Sequence, residues 1–175
     1  MTSQPRILYL LRHAKSSWSN HRLDDRDRPL AKRGQDAVHR LRRYVMEAGI
    51  APELVLCSSA RRAVMTLEGI ASALPADANV EIETRLHGAP SHQLLDRLHD
   101  VSDDVASLLL IAHNPGLDAL ASLLIGGGEE ELRQRVAAKF PTGALATLAF
   151  DGRWTDLAPA DATLQAFVVP RELSR

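Results

Sequence analysis

Polar side chains that could do chemistry follow three apolar runs of this chain. Arg12 and His13 come after the run Ile7–Leu11, Ser58–Arg62 follows a second run, and His113 follows a third. Apolar runs of this length fit strands that are buried on both faces of a parallel sheet. Open α/β sheets place their ligand sites at the carboxyl ends of the strands, so we expect the three groups to share one pocket.

The expected pocket is suited to a phosphoryl group. Arginine presents forked N–H donors that match the oxygens of a phosphate. Asn114 is predicted as the N-cap of a helix after His113, with Pro115 as its first residue, and a helix N-terminus favours an anion. A neutral histidine in such a pocket could attack phosphorus as a nucleophile.

Metal binding is the opposing interpretation of the two histidines, and the sequence disfavours it. Neither His13 nor His113 belongs to a closely spaced ligand pair, and the adjacent arginines would repel a cation. The single cysteine, Cys57, is expected in the core, and no Gly-x-x-x-x-Gly-Lys-Ser/Thr phosphate loop occurs. We therefore expect no metal and no cofactor. Surface positions are predicted for His21, His39, His92 and His99.

Composition limits the class of protein. The 175 residues suggest a single domain over residues 1–175, long enough to bury a substantial core. The formal net charge of −1 gives no broad electrostatic basis for binding nucleic acid or a membrane surface. Residues 1–6 lack a signal-peptide pattern, and no stretch is apolar enough to cross a membrane, so we expect a cytoplasmic protein.

Strands that alternate with helices predict an α/β fold, a three-layer α/β/α sandwich with a mostly parallel central sheet and an antiparallel C-terminal strand. A helical period covers Leu30–Gly49, whereas the charged stretch Asp24–Leu30 has no period and is predicted as a solvated loop. Gly126–Gly128 is predicted as a turn between helices. The predicted strands are Ile7–Leu11, Glu53–Cys57, Val80–Ile82, Ser107–Ala112, Ala144–Phe150 and Leu164–Val169.

Three motifs, in order along the chain, resemble the histidine phosphatase superfamily. They are Arg12–His13–Ala14, Ser58–Ala63 and His113–Gly116. More narrowly, Arg12–Trp18 and Asp27–Leu30 with Arg33–Gly34 look like the small SixA-type phosphohistidine phosphatases. The resemblance covers essentially the whole chain and implies a phosphoglycerate mutase-like fold.

The resemblance also implies roles for the residues of the pocket. His13 would be the nucleophile and become transiently phosphorylated. Arg12, Arg62 and His113 would hold the phosphoryl oxygens and stabilise charge in the transition state. Apart from the resemblance, Ser16 and Asn114 are predicted to contribute to substrate binding; for Ser16 the basis is its closeness to His13, with the alternative that it only closes the loop.

The choice of Arg62 over its neighbour Arg61 also comes from the resemblance. The family's arginine directly precedes a small residue, which is Ala63 in this chain. Arg61 then falls one step round the helix and is predicted as a surface charge.

One departure from the family concerns the general acid. Many members place a glutamate after the third strand, to protonate the leaving group. If His87–Gly88 matches the family's aromatic–glycine pair, Thr84 takes that position and Glu83 is one residue away. We predict Glu83 as the acid, with the alternative that no carboxylic acid serves. When phosphohistidine is cleaved, the leaving group is an imidazole, which leaves more easily than an alkoxide. A missing acid would therefore be tolerable for that substrate.

The sequence therefore predicts a metal-independent phosphatase that acts through a phosphohistidine intermediate on His13. Short intervals between elements leave no room for a large cap, so the substrate could be a phosphorylated protein as well as a small phosphorylated molecule. A broad small-molecule phosphomonoesterase and a non-catalytic phosphoprotein-binding module are the alternatives. A mutase is less expected because nothing suggests a site for a phosphorylated cofactor.

Overall fold

The computed structural model describes residues 4–174, and a seven-stranded sheet runs through it. The strands are β1 (Arg6–Arg12), β2 (Leu54–Ser58), β3 (Asn79–Glu83), β4 (Ser107–Ala112), β5 (Ile125–Gly128), β6 (Leu145–Phe150) and β7 (Ala162–Val168). The helices are α1 (Lys32–Glu47), α2 (Arg61–Ile70), α3 (Ser91–His99), α4 (Gly116–Leu124) and α5 (Glu130–Ala138).

The strand order of the sheet is β3-β2-β4-β1-β6-β7-β5. β1, β2, β3 and β4 pair in parallel, and β5 pairs in parallel with β7. β6 runs antiparallel to both of its neighbours, β1 and β7. The prediction of a mostly parallel sheet with an antiparallel C-terminal part is confirmed.

The two central strands β1 and β4 are buried because their apolar runs face a helical layer on each side. Leu8, Leu10 and Leu11 of β1 are 0% exposed, and Leu108–Ile111 of β4 are at most 1% exposed. Leu10 packs with α3 and α4 on one face, whereas Leu11 packs with α1 and α2 on the other. Burying such a side chain stabilises the fold by roughly 1.5–3 kcal/mol relative to leaving it exposed. The three predicted layers are confirmed.

Two local predictions differ from the structure. Gly126–Gly128 lies in edge strand β5 rather than in a turn between helices. The backbone there pairs with β7 and lies close to the loop that precedes β7. A Cβ on Gly126 would lie 2.0 Å from the Ala160 carbonyl oxygen, so this approach requires a glycine. His99, predicted at the surface, is partly buried and its Nε2 donates to the Leu157 oxygen at 2.8 Å.

Within residues 4–174, no helix has both the length and the apolar character that a membrane-spanning helix needs.

Candidate active site

Three neighbouring strands bring the predicted residues together at one edge of the sheet. β2, β4 and β1 are adjacent in that order, and their carboxyl ends lead to Ser58, His113 and His13. The ring centroids of His13 and His113 lie 4.9 Å apart. Both imidazoles are buried, at 6% exposed each. The expected pocket of two histidines is therefore present in the structure.

Arg62 joins the two imidazoles. It is the second residue of α2 and turns inward, where it is 7% exposed, whereas Arg61 points outward and is exposed. The Arg62 Nε–H donates to His13 Nε2 at 3.4 Å, and Nη2 donates to His113 Nδ1 at 3.3 Å. The structure thus places Arg62, and not Arg61, between the two imidazoles.

The hydrogen bonds of His13 define which ring nitrogen is free to react. Nδ1 lies 2.7 Å from the Ala14 carbonyl oxygen, which can only accept, so Nδ1 carries the proton. Nε2 then holds a lone pair, and it faces the Arg62 guanidinium. A lone pair on Nε2 beside a cation suits a nucleophile whose target is an anionic phosphoryl group.

His113 takes the opposite tautomer. Because Arg62 can only donate, His113 Nδ1 is the acceptor and Nε2 carries the proton. That N–H donates to the Ser58 hydroxyl at 2.7 Å. Ser58 is 0% exposed and also accepts from the Ala60 N–H at 3.2 Å, which fixes the hydroxyl that orients His113. Sequence reasoning placed Ser58 in a motif without giving it this role.

Burial keeps both imidazoles neutral. Loss of hydration lowers the pKa of His13 to about 4, and the positive charges of Arg62 and Arg12 act in the same direction. Loss of hydration likewise lowers the pKa of His113 to about 3, with further contributions from His13 and Arg62. At neutral pH, the lone pair of His13 Nε2 is therefore available.

An NMR titration of the histidine ring protons is expected to show no protonation of His13 between pH 8 and pH 5. The pKa of about 4 means that His13 takes up its proton only as the pH falls through that value. The unfolded chain binds this proton more readily than the folded protein does. The contribution of neutral His13 to the free energy of unfolding is therefore fully present above the ordinary histidine pKa and declines as the pH falls toward 4. A His13→Ala variant assigns the resonance, and a midpoint near 6.5 for His13 would contradict burial as the controlling factor.

Arg12 and Asn114 share one acceptor at the rim of the site. The Arg12 Nη1 and the Asn114 Nδ2 both donate to the Phe140 carbonyl oxygen, at 3.0 Å and 2.9 Å. The predicted N-cap at Asn114 is wrong: α4 begins at Gly116, its N-cap is Pro115, and the Asn114 amide is turned to Phe140. The Asn114 Oδ1 and the Arg12 Nε are buried and have no hydrogen-bond partner within the described residues.

The chain segment after His13 is held against α2 and the start of α1. The Ala14 N–H donates to the Thr66 hydroxyl at 3.0 Å, and that hydroxyl donates to the Arg62 carbonyl at 2.7 Å. Ser16 is buried and forms an isolated antiparallel bridge with Leu30. The bridge to Leu30 is enough to explain why Ser16 is buried. The role of Ser16 in substrate binding therefore stays a prediction.

The structure argues against Glu83 as the general acid. Its carboxylate accepts hydrogen bonds from Arg85 Nε at 2.6 Å and from Arg97 Nε at 2.9 Å. Burial raises the pKa of Glu83, but the hydrogen bonds and charges of the two arginines outweigh it and hold the pKa below its ordinary value. A carboxylate that is ionised and paired in this way is a poor proton donor. Thr84, the other position considered, begins a short 3₁₀ helix and has no carboxyl group.

Sequence reasoning missed two residues of the site, Asp25 and His87. Asp25 lies in the loop predicted to be solvated, yet its Oδ2 accepts from Arg62 Nη2 at 2.9 Å and from His87 Nε2 at 3.1 Å. The His87 ring centroid lies 5.3 Å from that of His113. Burial raises the pKa of Asp25, but hydrogen bonds from His87 and Arg62 outweigh it and lower the pKa overall. No sequence signal separates Asp25 from the neighbouring aspartates.

The loop that carries His87 approaches the start of α4 closely. A Cβ on Gly116 would lie 1.9 Å from the Ala89 carbonyl oxygen, so a side chain there would force the two segments apart. Gly116 therefore lets His87 and His113 reach the same pocket.

The described residues hold no group of three or more histidine, cysteine, aspartate or glutamate side chains placed to bind a metal ion. The donor set of the pocket is dominated by arginine and neutral imidazole, which suits an oxyanion.

The sequence is similar to a described family and to other proteins over most of its length. It matches the profile of the histidine phosphatase superfamily (branch 1) over residues 8–89. It is 37% identical to an uncharacterized protein of Mycobacterium tuberculosis, over 92% of this chain and 100% of that protein.

Two solved structures are similar over almost their whole length. One, from Nakamurella multipartitia, is provisionally assigned as the phosphohistidine phosphatase SixA; the TM-score is 0.84 and the identity 26%, over 97% of this chain and 99% of that chain. Another, from Agrobacterium tumefaciens and with the same provisional assignment, gives a TM-score of 0.81 and 27% identity, over 96% of this chain and 100% of that chain.

A phosphoglycerate mutase from Plasmodium falciparum has a similar fold, with a TM-score of 0.59 at 15% identity over 94% of this chain and 91% of that chain. The predicted phosphoglycerate mutase-like fold is confirmed by this likeness.

Proposed function

We propose that the substrate of this protein is phosphohistidine carried on a partner protein. The proposal starts from the fact that the chain belongs to the histidine phosphatase superfamily and is a phosphatase. The observation that carries the proposal is the buried cluster of His13, Arg62 and His113, in which the His13 Nε2 lone pair lies beside a guanidinium. Such a cluster offers a nucleophile and oxyanion donors in one place.

The proposed reaction has two steps. His13 Nε2 attacks phosphorus and an N–P bond forms, while the bond to the substrate's imidazole breaks with its electron pair going to that imidazole, which takes up a proton from solvent. Water then attacks the phosphorus on His13 and releases a proton to solvent, the N–P bond breaks with its electron pair returning to His13 Nε2, and inorganic phosphate leaves. Arg12 and Arg62 are proposed to bind the phosphoryl oxygens during both steps. His113 is proposed to join them when its Nδ1 carries a proton, because in the ligand-free pocket that nitrogen accepts from Arg62.

The state of the nearby carboxylates supports phosphohistidine rather than an alkyl phosphate as the substrate. Glu83 and Asp25 both have lowered pKa values, because arginine or histidine donors stabilise their ionised forms. An alkoxide leaving group needs a strong proton donor, whereas an imidazole needs much less help. The provisional SixA assignment of the two similar structures points to the same substrate class.

Phosphate release from a phosphohistidine peptide and from a matched phosphoserine peptide, with a chelator present throughout, tests the proposal. We expect release from the phosphohistidine peptide only. Comparable release from both peptides would indicate a broad phosphomonoesterase instead. Binding of inorganic phosphate without release from either peptide would indicate a non-catalytic binding module.

A further inference from the structure

A cavity of about 470 Å³ adjoins the candidate active site beside α1. Its lining contains six cationic side chains and one acidic side chain, Asp36, in a protein whose formal net charge is −1. Asp36 lies 3.7 Å from Lys32 Nζ, so its charge already has a partner outside the lining. The cationic residues are Arg12, Lys15, Arg33, Arg40, Lys139 and Arg171.

None of these six cations forms a salt bridge in the part of the chain that the structure describes, and Asp118 acts on Arg12 only at longer range. Several arginines elsewhere are paired: Arg97 with Glu83, Arg135 with Glu172 and Arg153 with Asp156. Six of the described cations without a salt bridge therefore line one cavity, whereas the others, Arg22, Arg26, Arg28, Arg42 and Arg61, lie outside it. Clefts lined by charge of one sign attract ligands of the opposite sign.

We propose that this cavity, which we name the basic cavity, binds acidic side chains of the phosphoprotein substrate; the inference rests on the proposed function. Arg12 lines the basic cavity and directly precedes His13. When the substrate's phosphohistidine is at His13, the acidic groups in the basic cavity are therefore its neighbours on the surface of the substrate protein. The basic cavity would select phosphohistidine proteins with aspartate or glutamate beside the modified residue.

The spacing of the cations favours a protein surface over one small anion. Arg33 and Arg40 are seven residues apart on α1, which is about two helical turns or roughly 10 Å. Lys15, Lys139 and Arg171 come from three other segments: the loop after β1, the end of α5 and the 3₁₀ helix Pro170–Glu172. A single phosphate can pair with only a few of six cations that come from four segments, whereas several carboxylates on a folded partner can pair with more of them.

The contribution of each cation should be modest and additive. An exposed ion pair changes a binding constant by a factor of roughly 1.5 to 5, and the effect decreases with added salt. A pair of charges removed together should therefore change the affinity for an acidic partner by about fivefold. Substrates without acidic neighbours should not respond.

The test compares wild type with an Arg33→Gln/Arg40→Gln double variant, on two phosphohistidine peptides of equal length. One peptide carries glutamates around the phosphohistidine, and the other carries glutamines at the same positions. We expect KM for the glutamate peptide to rise about fivefold in the double variant, with kcat and the kinetics of the glutamine peptide unchanged. Arg42→Gln removes a charge from the same helix outside the basic cavity and should leave both peptides unaffected.

Binding of an unphosphorylated, fluorescently labelled glutamate peptide separates this inference from the proposed function, because binding needs no turnover. If neither phosphohistidine peptide is hydrolysed but the double variant still binds the labelled peptide more weakly, the proposed function fails and the basic cavity retains its role. The inference is overturned if the double variant prefers the glutamate peptide as strongly as wild type does, or if Arg42→Gln lowers that preference equally. It is also overturned if the double variant loses binding of inorganic pyrophosphate only, with no change for either peptide.

Discussion

Replacing His13 with alanine is expected to lower kcat for phosphate release from a phosphohistidine peptide by about a thousandfold or more. The substitution removes the Nε2 lone pair that faces Arg62. His87, the other histidine beside His113, cannot replace it because its Nε2 is bonded to Asp25. Steady-state phosphate release gives the size of the effect. Quenching wild type during turnover with alkaline detergent, which preserves the acid-labile N–P bond, should in addition trap a phosphoryl group on His13, which the variant lacks.

His39→Ala provides the matched control, because His39 is an exposed histidine on α1 and forms no part of the pocket. It should retain the activity of wild type. If the His13→Ala protein is folded by circular dichroism and keeps most of its activity, a phosphohistidine intermediate on His13 is excluded.

Replacing Arg62 with alanine is expected to lower kcat/KM by about a hundredfold to a thousandfold. The guanidinium donates to both imidazoles and to Asp25, so its loss removes an oxyanion donor and releases the contacts that orient the site. Binding of inorganic phosphate, measured by calorimetry, should weaken together with the rate.

Arg61→Ala tests whether the effect belongs to position 62, since Arg61 is the adjacent, exposed arginine of the same helix turn. We expect it to behave as wild type. Arg62→Lys keeps the charge but loses the forked donors, so it should recover only part of the activity. Equal losses in the Arg61→Ala and Arg62→Ala proteins would contradict the assignment.

Much of the fold follows from the sequence because the central strands are apolar on both faces. The runs that form β1 and β4 contain almost no polar residue before the strand ends. The same pattern therefore predicts both that the strands are buried and where the polar edge of the sheet lies. The order of strands was not determined by any local pattern. Parallel pairing alone was enough to expect Arg12, His13 and His113 at one edge.

The parts of the site that sequence reasoning missed depend on contacts between distant segments. Asp25 reaches Arg62 across 37 residues, and nothing in its charged, aperiodic loop distinguishes it from Asp24 or Asp27. Glu83 is paired by Arg97 of α3, so its role could not be judged before that helix was placed. The predicted N-cap of α4 at Asn114 is wrong for a similar reason, because the Asn114 amide donates to the Phe140 carbonyl oxygen, 26 residues away.

Arg62 meets every ligand while it is already bonded to the carboxylate of Asp25. A phosphoryl group that binds this guanidinium must displace or share an existing ion pair, so its net gain is the difference between two contacts. Under the proposed function, the inorganic phosphate formed at the end of the cycle faces the same competition as the substrate at the start. We therefore expect Asp25 to compete with the product for Arg62 and to shorten the residence of the product, so that turnover is not limited by a tightly held anion.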